Sequence, residues 1–317
     1  MVTPEMLQEY EKAKKENQLW WLKQLLKNKF VLFQLTIIAI FILMGLMGLL
    51  GLAPYDYAKG DLTAVEQGPS WSHIFGTDGN GRDLFSRILY ASTTSVSVAL
   101  LSLIFGGLAL TIGLGVISGY YGRWRDWLIM RAGEFLAMMP GFFMLIYIIA
   151  TVKPRYESFF LSMGGPGRWL SETGKVDFAL IFLVFSLLYW VGGARLIRSQ
   201  TLAIREGLYI DAARISGASH LRIIWRHVLP NLTNIIILQL SSLIVAAVSV
   251  EIGLSFLNLG VTPPYPSFGS MFSEAGRIGV LEKHLYLLIF PAIFVTAFIL
   301  AIKRLADNWI RVIESRS

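Results

Sequence analysis

No cysteine occurs among the 317 residues, which excludes disulfides, thiolate metal sites and cysteine nucleophiles. Histidine is nearly as scarce. His73, His220, His227 and His284 are scattered and give no i, i+4 pair of the kind that holds a metal on one helix face. Charged residues make up 15% of the chain against 55% hydrophobic, with a mean hydropathy of +0.58. A soluble domain needs a polar outside and cannot hide that much apolar surface. Phosphate-binding loops are missing too. The nearest approach, "GRWLSETGKV", has Trp169 where such a loop needs glycine and Val176 where it needs a magnesium-binding hydroxyl. "GLGVISG" puts Ser118 at the third glycine of a dinucleotide fingerprint. "DGNGRD" begins like a calcium loop at Asp78 but has Asp83 at the sixth place, which needs glycine, and Leu89 at the twelfth. A turn-rich loop is the better reading of that stretch.

What the chain does have is long uncharged runs, the mark of membrane-spanning helices. They cover about 30–53, 92–121, 127–152, 178–194, 232–250 and 285–302. The expected fold class is therefore an all-α polytopic membrane protein with six transmembrane helices. Residues 1–29 form an amphipathic segment, with Leu19, Leu22, Leu25 and Leu26 on one face. Residues 54–91 are a polar connection, 92–303 hold the core spans, and 304–317 are a charged tail. The net charge of +7, from 28 basic and 21 acidic residues, fits basic flanks on anionic lipid better than nucleic acid. Lys and Arg number 6, 3, 6 and 4 in the amino terminus, the loop near Arg123, the 195–230 segment and the tail, against 3, 4 and 2 in the other loops. That bias predicts both termini in the cytoplasm.

Between spans four and five lies "DAARISGASHLRIIWRHVLPN", residues 211–231. The residues 211–216 predict a short helix ended by Gly217, since glycine readily takes the positive φ of a helix end. Ser219 then caps a second helix. Leu221, Ile224, Trp225, Val228 and Leu229 follow helical spacing and predict its buried ridge, and Pro230 stops it. The expected result is a cytoplasmic helix–turn–helix bracket at 200–230. Among ionisable residues near the membrane, Arg131 and Glu134 stand three apart and are expected to pair. Glu251 is expected to bond backbone N–H groups of the proline-broken run that follows. Gly115 and Gly119 predict close helix packing.

The bracket resembles the coupling motif of bacterial ABC importer permeases: Glu-Ala-Ala, three residues, Gly, nine residues, Ile-x-Leu-Pro. Asp211, Ala212, Ala213, Gly217, Leu229 and Pro230 match it in register, with Asp for Glu and His227 at the Ile position. "FGTDGNGRDLFSRILYAS" (75–92), "MRAGEFLAMMP" (130–140) and "LSFLNLGVTPPYPSFGSM" (254–271) are similar to the C-type permeases of oligopeptide and dipeptide importers. Departures occur at "ASTT" (91–94) and in the tail "ADNWIRVIE". The resemblance implies a permease subunit in a bacterial cell membrane, with no cofactor of its own. It implies a second homologous permease, two cytoplasmic ATPase subunits carrying ATP and magnesium, an extracytoplasmic solute-binding protein and a peptide-type substrate. It places the ATPase contact on Glu206, Asp211, Ala212, Ala213, Gly217, Ala218, Ser219 and His220. A structural or gating role falls to Arg131, Glu134, Glu251 and Pro230. The alternative is a self-sufficient ion-coupled carrier. That class usually carries acids or histidines at mid-membrane depth, whereas spans one, two, four and six are uncharged.

Overall fold

The computed structural model describes residues 28–314 except 139, 166, 168–174, 262, 278, 279 and 281. The expected amphipathic segment ahead of span one, and Trp169 of the failed phosphate loop, lie outside the described residues. Among the described residues the fold is all-α, and no strand forms beyond an isolated bridge between Thr77 and Asp83.

Helix α1 (Lys29–Leu49) starts where the Asn28 side chain accepts the Phe30 N–H at 3.0 Å. A polar connection leads to α2 (Leu84–Tyr121), capped by Asp83, whose carboxylate accepts Ser86 N–H at 2.8 Å. Within α2, residues 103–114 widen into a π-helix. After Gly122 come α3 (Arg123–Ala137) and α4 (Gly141–Ser162). α5 (Lys175–Arg205) runs longer than the uncharged stretch that announced it, because Arg195, Arg198 and Arg205 continue the helix past the apolar part. The bracket follows as α6 (Leu208–Ile215) and α7 (220–231), then α8 (Thr233–Phe256), the short α9 (Phe268–Ala275) and α10 (Tyr286–Glu314).

Among the described residues five helices, α1, α2, α5, α8 and α10, are long and apolar enough to cross a membrane, and α3 with α4, taken as one bent span, would make a sixth crossing. The expected third span is thus not a straight helix. α3 and α4 meet at 80°, at a break that includes Pro140, whose missing N–H and fixed φ disrupt a helix.

The two largest apolar clusters join most of the spans. Phe41, Ile88, Val248, Phe268 and Phe298 join α1, α2, α8, α9 and α10, with Phe41 and Phe298 stacked at 4.0 Å. Leu145, Ile149, Phe185 and Leu254 join α4, α5 and α8. The expected close approach at Gly115 and Gly119 is found where α2 crosses α5. A methyl group added there would lie 2.8 Å from the Ile197 Cβ or 2.6 Å from the Thr201 Cβ. Such small-residue contacts let backbones approach where lipid removes the hydrophobic drive to associate.

Candidate functional site

The bracket closes on itself at Gly217. That residue has φ +78°, its N–H donates to Arg214 O at 2.9 Å, and the Ala218 N–H donates to Ala213 O at 3.0 Å. A left-handed residue with reversed hydrogen bonds is how a glycine terminates a helix and turns the chain. Ser219 then accepts the Arg222 N–H at 3.4 Å, as expected of the cap on α7.

The ridge of α7 is not the expected one. Ile223, Ile224 and Val228 are buried, together with Leu232, while Leu221 and Trp225 face outward and Leu229 is half-buried. A π-helical stretch runs over Ile224–Val228. Its i→i+5 spacing puts Ile223 and Val228 on one face, where an α-helix would have offered i+3 and i+4. Pro230 does not break α7 but stands in the first turn of its last piece, Leu229–Asn231, where a missing N–H is tolerated. A turn at Leu229–Asn231 carries it through, and the Leu232 N–H donates to Val228 O at 3.2 Å. A widened turn ahead of Pro230 accommodates a ring that lacks an N–H and would clash with a regular preceding turn.

The buried ridge seats the bracket on the ends of α2 and α5. Ile210, Ile223 and Val228 pack with Ile112, Val116, Tyr120 and Ile197, at roughly 1.5–3 kcal/mol per fully buried side chain. Polar contacts fix the seat. Tyr120 Oη lies 3.0 Å from His220 Nδ1, and the Arg205 guanidinium donates to Tyr120 O at 3.1 Å. Beside them the Arg198 guanidinium grips Asp126, with Nη2 donating to Oδ2 at 2.5 Å, and Ser118 Oγ donates to the same carboxylate at 2.5 Å. Arg125 lies 4.4 Å above the Tyr121 ring, a cation–π contact. Sequence reading missed Tyr120, Asp126, Arg198 and Arg205. "SGYYGRWRD" is a visible mix of aromatics and charge, but no local spacing rule reaches partners 72 to 100 residues away.

Of the residues carried over by resemblance, Glu206, Asp211, Ala212, Gly217, Ser219 and His220 are exposed, and Ala213 and Ala218 are half-buried. Asp211 pairs with Arg214 at 3.0 Å on the surface. Around the turn stand large apolar side chains in the open: Leu208 is 86% exposed, Ile215 89%, Leu221 67% and Trp225 70%.

Arg131 and Glu134 pair as expected, at 2.9 Å, on an exposed face of α3. Glu251 is fully buried, but among the described residues its partners are hydroxyls rather than backbone N–H groups. Ser255 Oγ donates at 2.9 Å and Ser95 Oγ lies at 3.5 Å. The loop's Val261 N–H reaches Ser255 Oγ instead, at 3.3 Å.

At the other end of α2 the "DGNGRD" loop folds around Asp78. Its carboxylate accepts the N–H groups of Asn80 and Arg82 at 2.8 and 3.0 Å and pairs with Arg82 Nε at 2.8 Å. Arg87 bridges Asp78 and Glu274, with Nη2 donating to Glu274 Oε1 at 3.0 Å. Nearby Tyr265 packs against Tyr57, Tyr90 and Phe178. Burial pushes its hydroxyl up to about 12, so it stays a neutral donor at ordinary pH. Among the described residues no group of three or more His, Asp or Glu could hold a metal ion.

Residues 111–317, from mid-α2 through the bracket to the tail, match the family described as "Binding-protein-dependent transport system inner membrane component". The chain belongs to this family. It is the permease component of an ABC importer. This permease is 33% identical, over 286 residues, to a dipeptide transport system permease protein of Alkalihalophilus pseudofirmus, covering 90% of this chain and 86% of that one. It is 34% identical, over 258 residues, to a glutathione transport system permease protein of Pectobacterium atrosepticum, covering 81% and 77%.

Proposed function

We propose that this permease forms half of the path for a peptide-type solute and that its bracket docks a separate ATPase subunit. α3 and α4 then count as one bent span, giving six, with both termini and the bracket on the cytoplasmic side, as the basic residues indicate. A second homologous permease completes the path, and a solute-binding protein delivers from outside. Two ATPase subunits bind ATP and magnesium. The relatives named for dipeptide and glutathione transport support the solute class.

One observation carries the docking role. The bracket buries one face firmly on α2 and α5 and leaves Leu208, Ile215, Leu221 and Trp225 uncovered around an exposed turn. Apolar side chains clustered in the open mark an interaction surface. A displacement of the turn by the motor passes through Ile210, Ile223 and Val228 into the spans, because packed side chains resist compression.

The test uses the assembled transporter with Leu221→Asp and Gly217→Trp. Gly217 has no atoms within 4 Å of an added Cβ, so the indole projects outward, though its positive φ adds about 1–2 kcal/mol of strain. Both variants are expected to reach the membrane in normal amounts and to lose solute-stimulated ATP hydrolysis. Normal stimulation in both would overturn the docking assignment.

A further inference from the structure

Between α2, α5 and α8 lies a groove of about 170 Å³ whose lining includes Gly107, Thr111, Tyr189, Gly193, Gln239 and Ser242. Its depth follows from helix rise. Ser242 is nine residues into α8 and Thr111 ten residues from the end of α2, about 14–15 Å along each axis at 1.5 Å per residue. Against a hydrocarbon layer about 30 Å thick, both stand near mid-membrane.

Three side chains there are polar and unsatisfied. Among the described residues, the Tyr189 hydroxyl, the Gln239 amide and the Ser242 hydroxyl have no hydrogen-bond partner. Such groups do not face lipid tails, because each unpaired polar group there costs several kcal/mol. They must meet water, a solute or another polypeptide. Two local features shape the groove. The π-helical stretch of α2 contributes Gly107 and Thr111, and the Thr111 hydroxyl donates to Gly106 O at 2.7 Å. π-Helical turns recur at functional sites. Gly193 lets Thr111 and Gln239 come together, since a Cβ there would lie 2.5 Å from Thr111 Cγ2 and 2.9 Å from Gln239 Oε1.

We infer that this groove is a water-filled station on the solute path, where Tyr189, Gln239 and Ser242 take the main-chain amides of the passing molecule. The amide and the two hydroxyls are each donor and acceptor, as a peptide backbone is, and the groove lining contains no ionisable acid or base that would select a charged side chain. This rests on the importer reading above and adds to it the place and chemistry of contact.

The experiment exploits the absence of native cysteine. Ser242→Cys and Gln239→Cys are made in the assembled transporter, with Ile293→Cys on α10 and Leu43→Cys on α1, both exposed on apolar faces, as controls. Each is treated in native membranes with a charged methanethiosulfonate, and the mass of this chain is read. A thiol must ionise in water to react, and apolar surroundings suppress that. The groove variants are therefore expected to react at least about ten-fold faster than the controls. Rates no faster than the controls would mean that lipid or a partner helix covers the groove, and would overturn the proposal. Uptake and solute-stimulated ATP hydrolysis by the unsubstituted transporter are recorded in parallel. If they are present while the groove is unreactive, the groove assignment falls alone. If they are absent, the importer reading falls. A further pair, Gln239→Leu and Ser242→Ala, is expected to lower uptake of a dipeptide mixture about ten-fold, since each removes a hydrogen bond to the passing solute. Undiminished uptake in that pair would count against the amide contact.

Discussion

α2 begins in an ion cluster and ends on an apolar ridge. At its first turns Arg82 and Arg87 are locked to Asp78 and Glu274, with Arg87 only 2% exposed. At its last turns Val116 and Tyr120 receive Ile210, Ile223 and Val228 of the bracket. The two kinds of attachment respond differently to force. A buried charge network has one satisfied arrangement, and any displacement leaves a charge unpaired in low dielectric. An apolar contact is non-directional and survives small shifts, so the bracket end can move as a unit while the other end stays put. The difference suits a handle at one end and an anchor at the other.

That contrast can be broken from either side. The largest effect is expected from Arg87→Met, which removes the buried one of the two arginines that hold Asp78 and Glu274 and leaves Arg82 alone against two carboxylates. It should cost about 3 kcal/mol or more, read as a lower melting temperature of the purified transporter. Adding Glu274→Met should recover part of the loss. Next comes Ile223→Ala in the bracket ridge. A buried Ile→Ala change costs about 2–4 kcal/mol, and here the loss should appear as uncoupled ATP hydrolysis as well as a lower melting temperature. If Arg87→Met uncouples and Ile223→Ala does not, anchor and handle have been assigned the wrong way round. Tyr120→Phe removes the contact with His220 and should cost about 1 kcal/mol, sharpening how much of the seat is polar. The smallest effect belongs to Arg131→Ala. Its pair with Glu134 is largely exposed, and surface pairs are worth about 0–1 kcal/mol. A melting change beyond that range would show that α3 meets a partner surface at this pair.

Much of this was legible in the sequence. The apolar runs located the five membrane-length helices, Gly217 and Ser219 marked the bracket's turn and cap, and Gly115 and Gly119 marked a helix crossing. What failed did so for physical reasons. The ridge of α7 was read at α-helical spacing from Leu221 to Leu229; Ile224 and Val228 of it are buried, Leu221 and Trp225 are not, and Ile223 takes their place. The third run was read as one span, and the structure bends it by 80° at the break that includes Pro140. Glu274 gave no local sign of belonging with Arg82 and Arg87, because they are 192 and 187 residues distant in the chain. Glu251 is expected to bond the backbone of the run that follows, and among the described residues the partners seen are the hydroxyls of Ser255 and Ser95.

By itself the sequence determined what each segment must do about water: which runs enter lipid, where charge stays outside, and where glycine or serine lets a helix stop. These are local properties, set by transfer free energy and by the φ/ψ range of single residues. The tertiary structure decided which distant residues share a buried charge, which face of the bracket is buried, and which polar side chains line the groove between α2, α5 and α8. Those outcomes depend on helix register and on contacts between segments far apart in the chain. A widened turn or a bend rotates a whole face at once, and residue spacing does not record it.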